Sequence, residues 1–221
     1  MKREIIKTSD GSTTIHLEEW NENYHSKHGA IQEAQHVFIK NGLSLFQNKA
    51  ISILEIGFGT GLNAFITLLE APKMNIKINY VGVEAYPVSE EEIEAMNYVN
   101  ELEALDKKYF YELMHANPWG DKNDITQNFA LTKRKQFFET IEDVEQFDLI
   151  YFDAFGYRVQ PELWSTAIFK KMYTALSKNG VLVTYAARGV VKRSMIEVGF
   201  KVEKLAGPPG KREMFRATKT I

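Results

Sequence analysis

From Ala50 onward the chain alternates unbroken apolar runs with stretches whose apolar residues recur every three to four positions. The runs AISILEIG (50–57), INYVGVEAYP (78–87), FDLIYFDAF (147–155) and GVLVTYAA (180–187) are too apolar for strands with one wet face, so each predicts a strand buried on both sides. Between them, residues 63–69 predict a helix that must stop by Pro72. SEEEIEAMNYVNEL (89–102) predicts another, with Ser89 as N-cap and acids in its first turn. ELWSTAIFKKMYTAL (162–176) reads as an amphipathic helix ended by Lys178-Asn179-Gly180, and VVKRSMIEVGF (190–200) as a short helix stopped by Gly199. Strands and helices in alternation predict a parallel sheet in an α/β fold.

The two ends of the chain break this rhythm. REIIKTSDGSTTIHLEEW (3–20) alternates around the turn signal Ser9-Asp10-Gly11-Ser12 and predicts a small hairpin over residues 1–22, before a single main domain over 23–221. Residues 21–43 read as a loop leading into a helix on which Ala30, Ala34, Val37 and Phe38 share one face, stopped at Asn41-Gly42. Residues 125–141 fit either one strand or two short ones. At the C-terminus, KVEKLAG and KREMFRATK flank Pro208-Pro209-Gly210, so a terminal hairpin closes the sheet.

Composition narrows the classes. The 221 residues are 44% hydrophobic and 25% charged, enough to bury a core without staples, and the formal net charge of -2 offers no global attraction for nucleic acid. Any anionic partner must then be held by a local patch, for which Arg158, Arg188, Lys192, Arg193, Lys211 and Arg212 are the candidates. No cysteine is present and the five histidines lack metal-ligand spacing, so no metal site is expected. With no apolar run of signal or membrane length, the expected setting is the cytoplasm, away from membranes.

The chemistry concentrates at two strand ends. Glu55-Ile56-Gly57-Phe58-Gly59-Thr60-Gly61 sits where a buried strand passes to a helix, the place where open α/β sheets bind ligands. A dinucleotide fingerprint would need a third glycine at position 62, occupied by Leu62; the spacing E-x-G-x-G-x-G is that of S-adenosylmethionine (SAM) enzymes. Glu84 ends the second strand, 23 residues after Gly61, where a carboxylate can accept both ribose hydroxyls. Glu55, Gly57, Gly59, Gly61, Asn63 and Glu84 are therefore the cofactor-binding candidates; the competing account is a plain tight turn with a solvated Glu84. For adenine, Glu139, Glu142 and Asp143 are open alternatives. Asp153 ends a central strand on the same edge, where a carboxylate can orient an amine and take its proton, or merely cap the loop. Phe155 and Tyr157 follow in that loop as rings on which a base could stack, with Arg188, Lys211 and Arg212 as further substrate-binding candidates; Trp164 reads as core.

Several segments together resemble one family. YHSKHGAIQEAQHVFIKNGL, LEIGFGTGLNAF, YVGVEAYP, the DAF…QPELW stretch from Asp153 to Trp164, LVTYAARGVVKRSMIEVGF and KREMFRA are similar to the methyltransferase part of the bacterial MnmC family, from Tyr24 to Ala217. The resemblance implies a class I SAM-dependent methyltransferase fold: Rossmann-like, with a mostly parallel seven-stranded sheet and an antiparallel C-terminal hairpin. It implies SAM contacts at Gly57, Gly59, Gly61 and Glu84, an important acid at Asp153, and methylation of the aminomethyl group on C5 of the wobble (2-thio)uridine in tRNA. Family members that are larger carry an FAD-dependent oxidase which frees that amine; 221 residues leave no room for it, so a separate enzyme is expected to supply the amine. The chain departs from the family at Ala154–Pro161, where the usual G-F-A-P-x-x-N-P is absent, and around Phe137-Phe138-Glu139, where F-G-D is replaced. A small-molecule amine transferase resembling polyamine synthases and a non-catalytic Rossmann-like binding module are the alternatives.

Overall fold

The computed structural model describes residues 2–220. Its central element is an eight-stranded sheet built on parallel strands β4 (Ala50–Ile56), β5 (Lys77–Glu84), β7 (Phe129–Lys135), β8 (Phe147–Phe152) and β9 (Leu176–Thr184). The final pair, β10 (Phe200–Ala206) and β11 (Glu213–Lys219), forms the antiparallel hairpin, with β11 inserted between β10 and β9. The order β10-β11-β9-β8-β4-β5-β7-β6 carries one strand more than the seven expected, because residues 125–141 belong to two strands: β6 (Lys122–Thr126) folds back on β7 as an antiparallel edge. The chain crosses from β4 to β5 in one direction and later adds β8 and β9 in the other, which opens a crevice at the carboxyl ends of β4 and β8.

Both faces of this sheet are covered, as the unbroken apolar runs require. Ile53, Tyr80, Leu149, Tyr151 and Val183 enter one core with helix α1 (Ala30–Ala34), its π-helical continuation Gln35–Lys40, and helix α2 (Leu62–Glu70). Leu54, Ile56, Val83, Ile150, Phe152 and Leu182 alternate with them into a second core, under helices α6 (Thr166–Ala175) and α7 (Gly189–Glu197). Fully buried side chains of this size are worth roughly 1.5–3 kcal/mol each.

The N-terminal strands β1 (Arg3–Lys7), β2 (Thr13–Leu17) and β3 (Glu22–Asn23) form a second, small antiparallel sheet whose Ile15 and Leu17 belong to the first core. Its turn is closed by Asp10, whose Oδ1 accepts from the Ser12 amide at 3.2 Å and the Thr8 hydroxyl at 2.7 Å.

Three local expectations are corrected. The acidic helix breaks into α3 (Glu90–Glu94), which keeps the Ser89 capping box, and α4 (Tyr98–Glu101). Asn97 makes the break by accepting from the Thr13 amide at 2.8 Å and donating to the Gly11 carbonyl at 2.9 Å, which holds its backbone out of the helix. The later amphipathic helix starts only at Thr166, capped by Ser165, because Pro161–Trp164 form a 3-10 turn; Asn179-Gly180 lie inside β9, not after a helix. A helix the apolar pattern did not reveal, α5 (Lys108–Ala116), is closed at its C-terminal end by Lys133, whose buried ammonium donates to the His115 carbonyl at 2.7 Å. Among the described residues no helix is long and apolar enough to cross a membrane.

Asn97→Ala removes the bonds to Thr13 and Gly11, two of the ties between the small sheet and the main body. A loss of about 1–3 kcal/mol is expected in urea denaturation, with faster amide exchange in β1 and β2 than elsewhere.

Candidate active site

The crevice is lined by backbone in conformations that favour glycine. Gly57, Gly59 and Gly61 adopt φ of 90°, 49° and 74°. At Gly57 the chain passes so close to β8 that a Cβ would lie 2.6 Å from the Asp153 carbonyl oxygen. The Asp153 amide returns a bond to the Ile56 carbonyl at 2.9 Å, so the glycine loop and the acid are welded edge to edge. The loop's far side is fixed by Tyr111 and His115 on α5, whose side chains both bond the Thr60 carbonyl, at 3.0 and 3.1 Å.

Glu84 holds the loop from the other side. Its Oε2 accepts from the Gly59 amide at 3.1 Å and its Oε1 from the Tyr86 amide at 3.0 Å, so both oxygens are oriented while each keeps a lone pair free. Beside it, Tyr86 and Phe137 meet edge to face at 5.8 Å, both well exposed. Sequence reasoning did not single out this pair; the signal available was an aromatic just past each of two adjacent strands. Of the acids considered for adenine, Asp143 is taken by Arg134 at 2.7 Å, while Glu139 and Glu142 are exposed in the segment after β7.

Below the crevice floor, one Asn63 amide nitrogen donates to Glu55 Oε1 at 2.9 Å and to Asp153 Oδ2 at 2.8 Å. Glu55, expected at the cofactor, has no exposed surface: it faces Asn63 beneath the floor, and its Oε2 and Asn63 Oδ1 have no hydrogen-bond partner among the described residues. Burial pushes the Glu55 carboxyl well above the ordinary carboxylate range, with the Asp153 charge adding to the effect. Asp153 is half-buried at the crevice; desolvation chiefly, and then the Glu33 carboxylate, raise it to about 7 against the opposing pull of Asn63 and Lys211.

The loop after Asp153 is held from outside the sheet. Tyr185 donates to the Ala154 carbonyl at 2.8 Å, and the buried Trp164 indole to the Phe155 carbonyl at 2.8 Å, so Trp164 is core, as read, with a positioning bond besides. Phe155 packs edge-on against Trp20 and Tyr24, at 5.6 and 5.0 Å. Tyr157 lies under the Arg188 guanidinium, 5.5 Å from its ring centroid.

Topology brings the basic candidates to this same edge, since β10 ends and β11 begins there and α7 follows β9. Two of them are already engaged. Arg158 donates to the carbonyls of Trp20 and Asn21 and to the Glu22 carboxylate, and Lys211 pairs with Glu33 while lying 3.9 Å over the Tyr185 ring. Arg188 and Arg212 are exposed and form no ion pair among the described residues.

Glycine loop, strand-end acid and sheet order define a SAM-dependent methyltransferase, and a family model described as S-adenosyl-L-methionine-dependent methyltransferase matches residues 97–220. That is more than half of the chain, which belongs to this family. Its sequence is similar to the tRNA 5-methylaminomethyl-2-thiouridine biosynthesis bifunctional protein MnmC of Idiomarina loihiensis, 28% identical over 86% of this chain and 34% of the relative. The MnmC of Burkholderia mallei (strain SAVP1) is 30% identical over 95% of this chain and again 34% of the relative. The chain thus spans about a third of the length of these curated relatives. The solved MnmC2 of Aquifex aeolicus shares the fold, with a TM-score of 0.80 at 24% identity over 99% of this chain and 70% of that one. Spermidine synthase from Thermotoga maritima does so more distantly, at 0.57 and 16%, over 99% and 69%.

The raised Asp153 carboxyl has a consequence for stability. An acid held above its unfolded value costs stability as pH climbs from about 4 to about 7, because the folded state resists ionisation. Asp153→Asn is expected to leave stability at about pH 3 little changed and to raise it at about pH 8 by about 1–2 kcal/mol, read by chemical denaturation at both.

Proposed function

We propose that this chain transfers a methyl group from SAM to the aminomethyl nitrogen on C5 of a wobble (2-thio)uridine in tRNA. The observation that carries the reading is the weld between Gly57 and Asp153, which puts a proton-accepting carboxylate at the edge of the cofactor cradle. The likeness to the MnmC sequences supports the choice of substrate. The cradle fits the cofactor: the positive-φ glycines leave open backbone, and Glu84 keeps one free lone pair on each oxygen for a ribose diol. Tyr86 and Phe137 supply apolar faces for adenine, and Asn63 supports the floor through Glu55.

When bound, SAM supplies an electrophilic methyl on a sulfonium sulfur. The amine must present a free lone pair in line with the methyl–sulfur bond; the new N–C bond forms as the C–S bond breaks, the electron pair stays on sulfur, and the nitrogen sheds a proton. Asp153 Oδ1, the oxygen not held by Asn63, orients the amine and receives that proton. The ring of Phe155 and the Tyr157–Arg188 pair receive the extruded base, and Arg188 and Arg212 meet phosphates. Lys211 acts through its pair with Glu33, placing charge beside Asp153.

The test incubates the protein with labelled SAM and tRNA lacking the final methyl, with polyamines in a parallel arm, and identifies the modified nucleoside by mass spectrometry. A methylated wobble uridine is expected; no gain on tRNA, or label in the polyamines alone, overturns the reading. Asp153→Asn should lower turnover by about 10²–10⁴-fold while calorimetric SAM affinity changes little, and wild-type kcat/KM should rise through about pH 7 as Asp153 ionises.

The rim gives a separate expectation. Arg188→Ala and Arg212→Ala should each raise the KM for tRNA and reduce the salt slope of binding by about one, with SAM affinity unchanged.

A further inference from the structure

The small N-terminal sheet reaches the crevice through one side chain. Tyr24, just after β3, lies against the glycine loop: a Cβ at Gly59 would sit 3.2 and 3.4 Å from two carbons of its ring. The same ring meets Phe155, two residues beyond Asp153, at 5.0 Å and 89°. Tyr24 therefore bridges the two halves of the site, from the loop that cradles the cofactor to the loop that follows the acid.

Several contacts fix it there. Its amide donates to the Ile15 carbonyl at 2.9 Å, and the Arg3 guanidinium, paired with Glu92 at 2.9 Å, stands over the ring 5.9 Å from its centroid. Arg158 ties the preceding turn to the acid loop through Trp20, Asn21 and Glu22. Burial raises the Tyr24 hydroxyl, with the Arg3 charge opposing and the nearby Glu84 charge adding to the rise. A ring braced on several sides and set between the cofactor cradle and the acid loop exceeds what packing of a surface hairpin requires.

We propose that Tyr24 is a cofactor-positioning residue: with Phe155 it forms an aromatic wall at the sulfonium, so the N-terminal sheet completes the active site and favours the charged cofactor over its uncharged thioether product. The proposal rests on the SAM reading above. An aromatic face attracts a desolvated cation and is indifferent to a neutral thioether of nearly the same shape. The ring should thus contribute to binding of SAM and much less to that of S-adenosylhomocysteine, which helps product leave.

The experiment measures calorimetric affinity of the full chain for SAM and S-adenosylhomocysteine in the wild type, Tyr24→Phe and Tyr24→Leu, after thermal melts establish that each is folded. Tyr24→Leu is expected to weaken SAM by roughly 3- to 30-fold and the thioether by less than half that factor, while Tyr24→Phe keeps the wild-type ratio. Should the leucine variant not fold, Tyr24→Met, which keeps length and apolar bulk without a ring, takes its place with the same expectation. Wild-type protein that binds both ligands, with a ring-less variant whose ratio is unchanged, overturns the proposal and leaves the cofactor reading standing. Wild-type protein that binds neither overturns both.

Discussion

One amide nitrogen, Nδ2 of Asn63, bonded to two carboxylates, sets the conditions for everything above it. Glu55 and Asp153 end neighbouring parallel strands, and an opening in the sheet's connectivity lies between those strands. Two acids on one amide in a dry site cannot both ionise cheaply, and burial settles which does. Glu55, wholly enclosed, is pushed well above the ordinary carboxylate range; Asp153, with a face on the crevice, is raised only to about 7. Glu55 is thus a structural partner of Asn63 beside Asp153, and an apolar residue at position 63 would leave both carboxyls without that donor.

The same local crowding explains why the glycine pattern was readable. Gly57 has no room for a Cβ because β4 and β8 are in register up to Ile56 and Phe152, and the next residue of each strand must pass the other's backbone. A spacing of glycines in the sequence is the direct trace of that constraint, as is the acid at the end of β5. The parallel sheet was equally legible, because strands enclosed on both faces leave no polar positions to confuse the pattern. Features set by one distant bond left no such trace. Nothing around Asn97 announces that its side chain will cap the turn at Gly11 and split a helix, and the α5 segment, KYFYELMHA, mixes exposed aromatics with buried ones so that its apolar face is blurred. Glu55 was assigned to the cofactor because it stands within the motif; its burial depends on Tyr80 and Asn63 enclosing it, which no spacing encodes.

The charge of the site also reads differently in three dimensions. A net charge of -2 with scattered arginines and lysines suggested that a basic rim had to be assembled by the fold. Strand order does gather these residues at the carboxyl edge, yet Arg158 and Lys211 are used to tie the N-terminal sheet and α1 to the acid loop and the terminal hairpin. Their partners, Glu22 and Glu33, were invisible as functional residues because they lie far away in sequence. Glu33 is buried and accepts from the Ser26 amide as well, so the Lys211 ammonium is held close enough to Asp153 to oppose the rise in its pKa.

These ties give the small sheet a role beyond that of an appendage. Its strands share a core with the main sheet through Ile15 and Leu17, its turn is gripped by Arg158, and its exit residue Tyr24 rests on Gly59. Each tie joins a different element, so a rotation of the sheet would break a packed contact, an ion pair and an aromatic edge together. The three glycines leave the crevice side of their loop bare, because its two side chains, Phe58 and Thr60, are buried in the body of the fold. The ring edges beside those bare positions belong to Tyr24 and Phe155, so elements far apart in the chain meet next to Asp153.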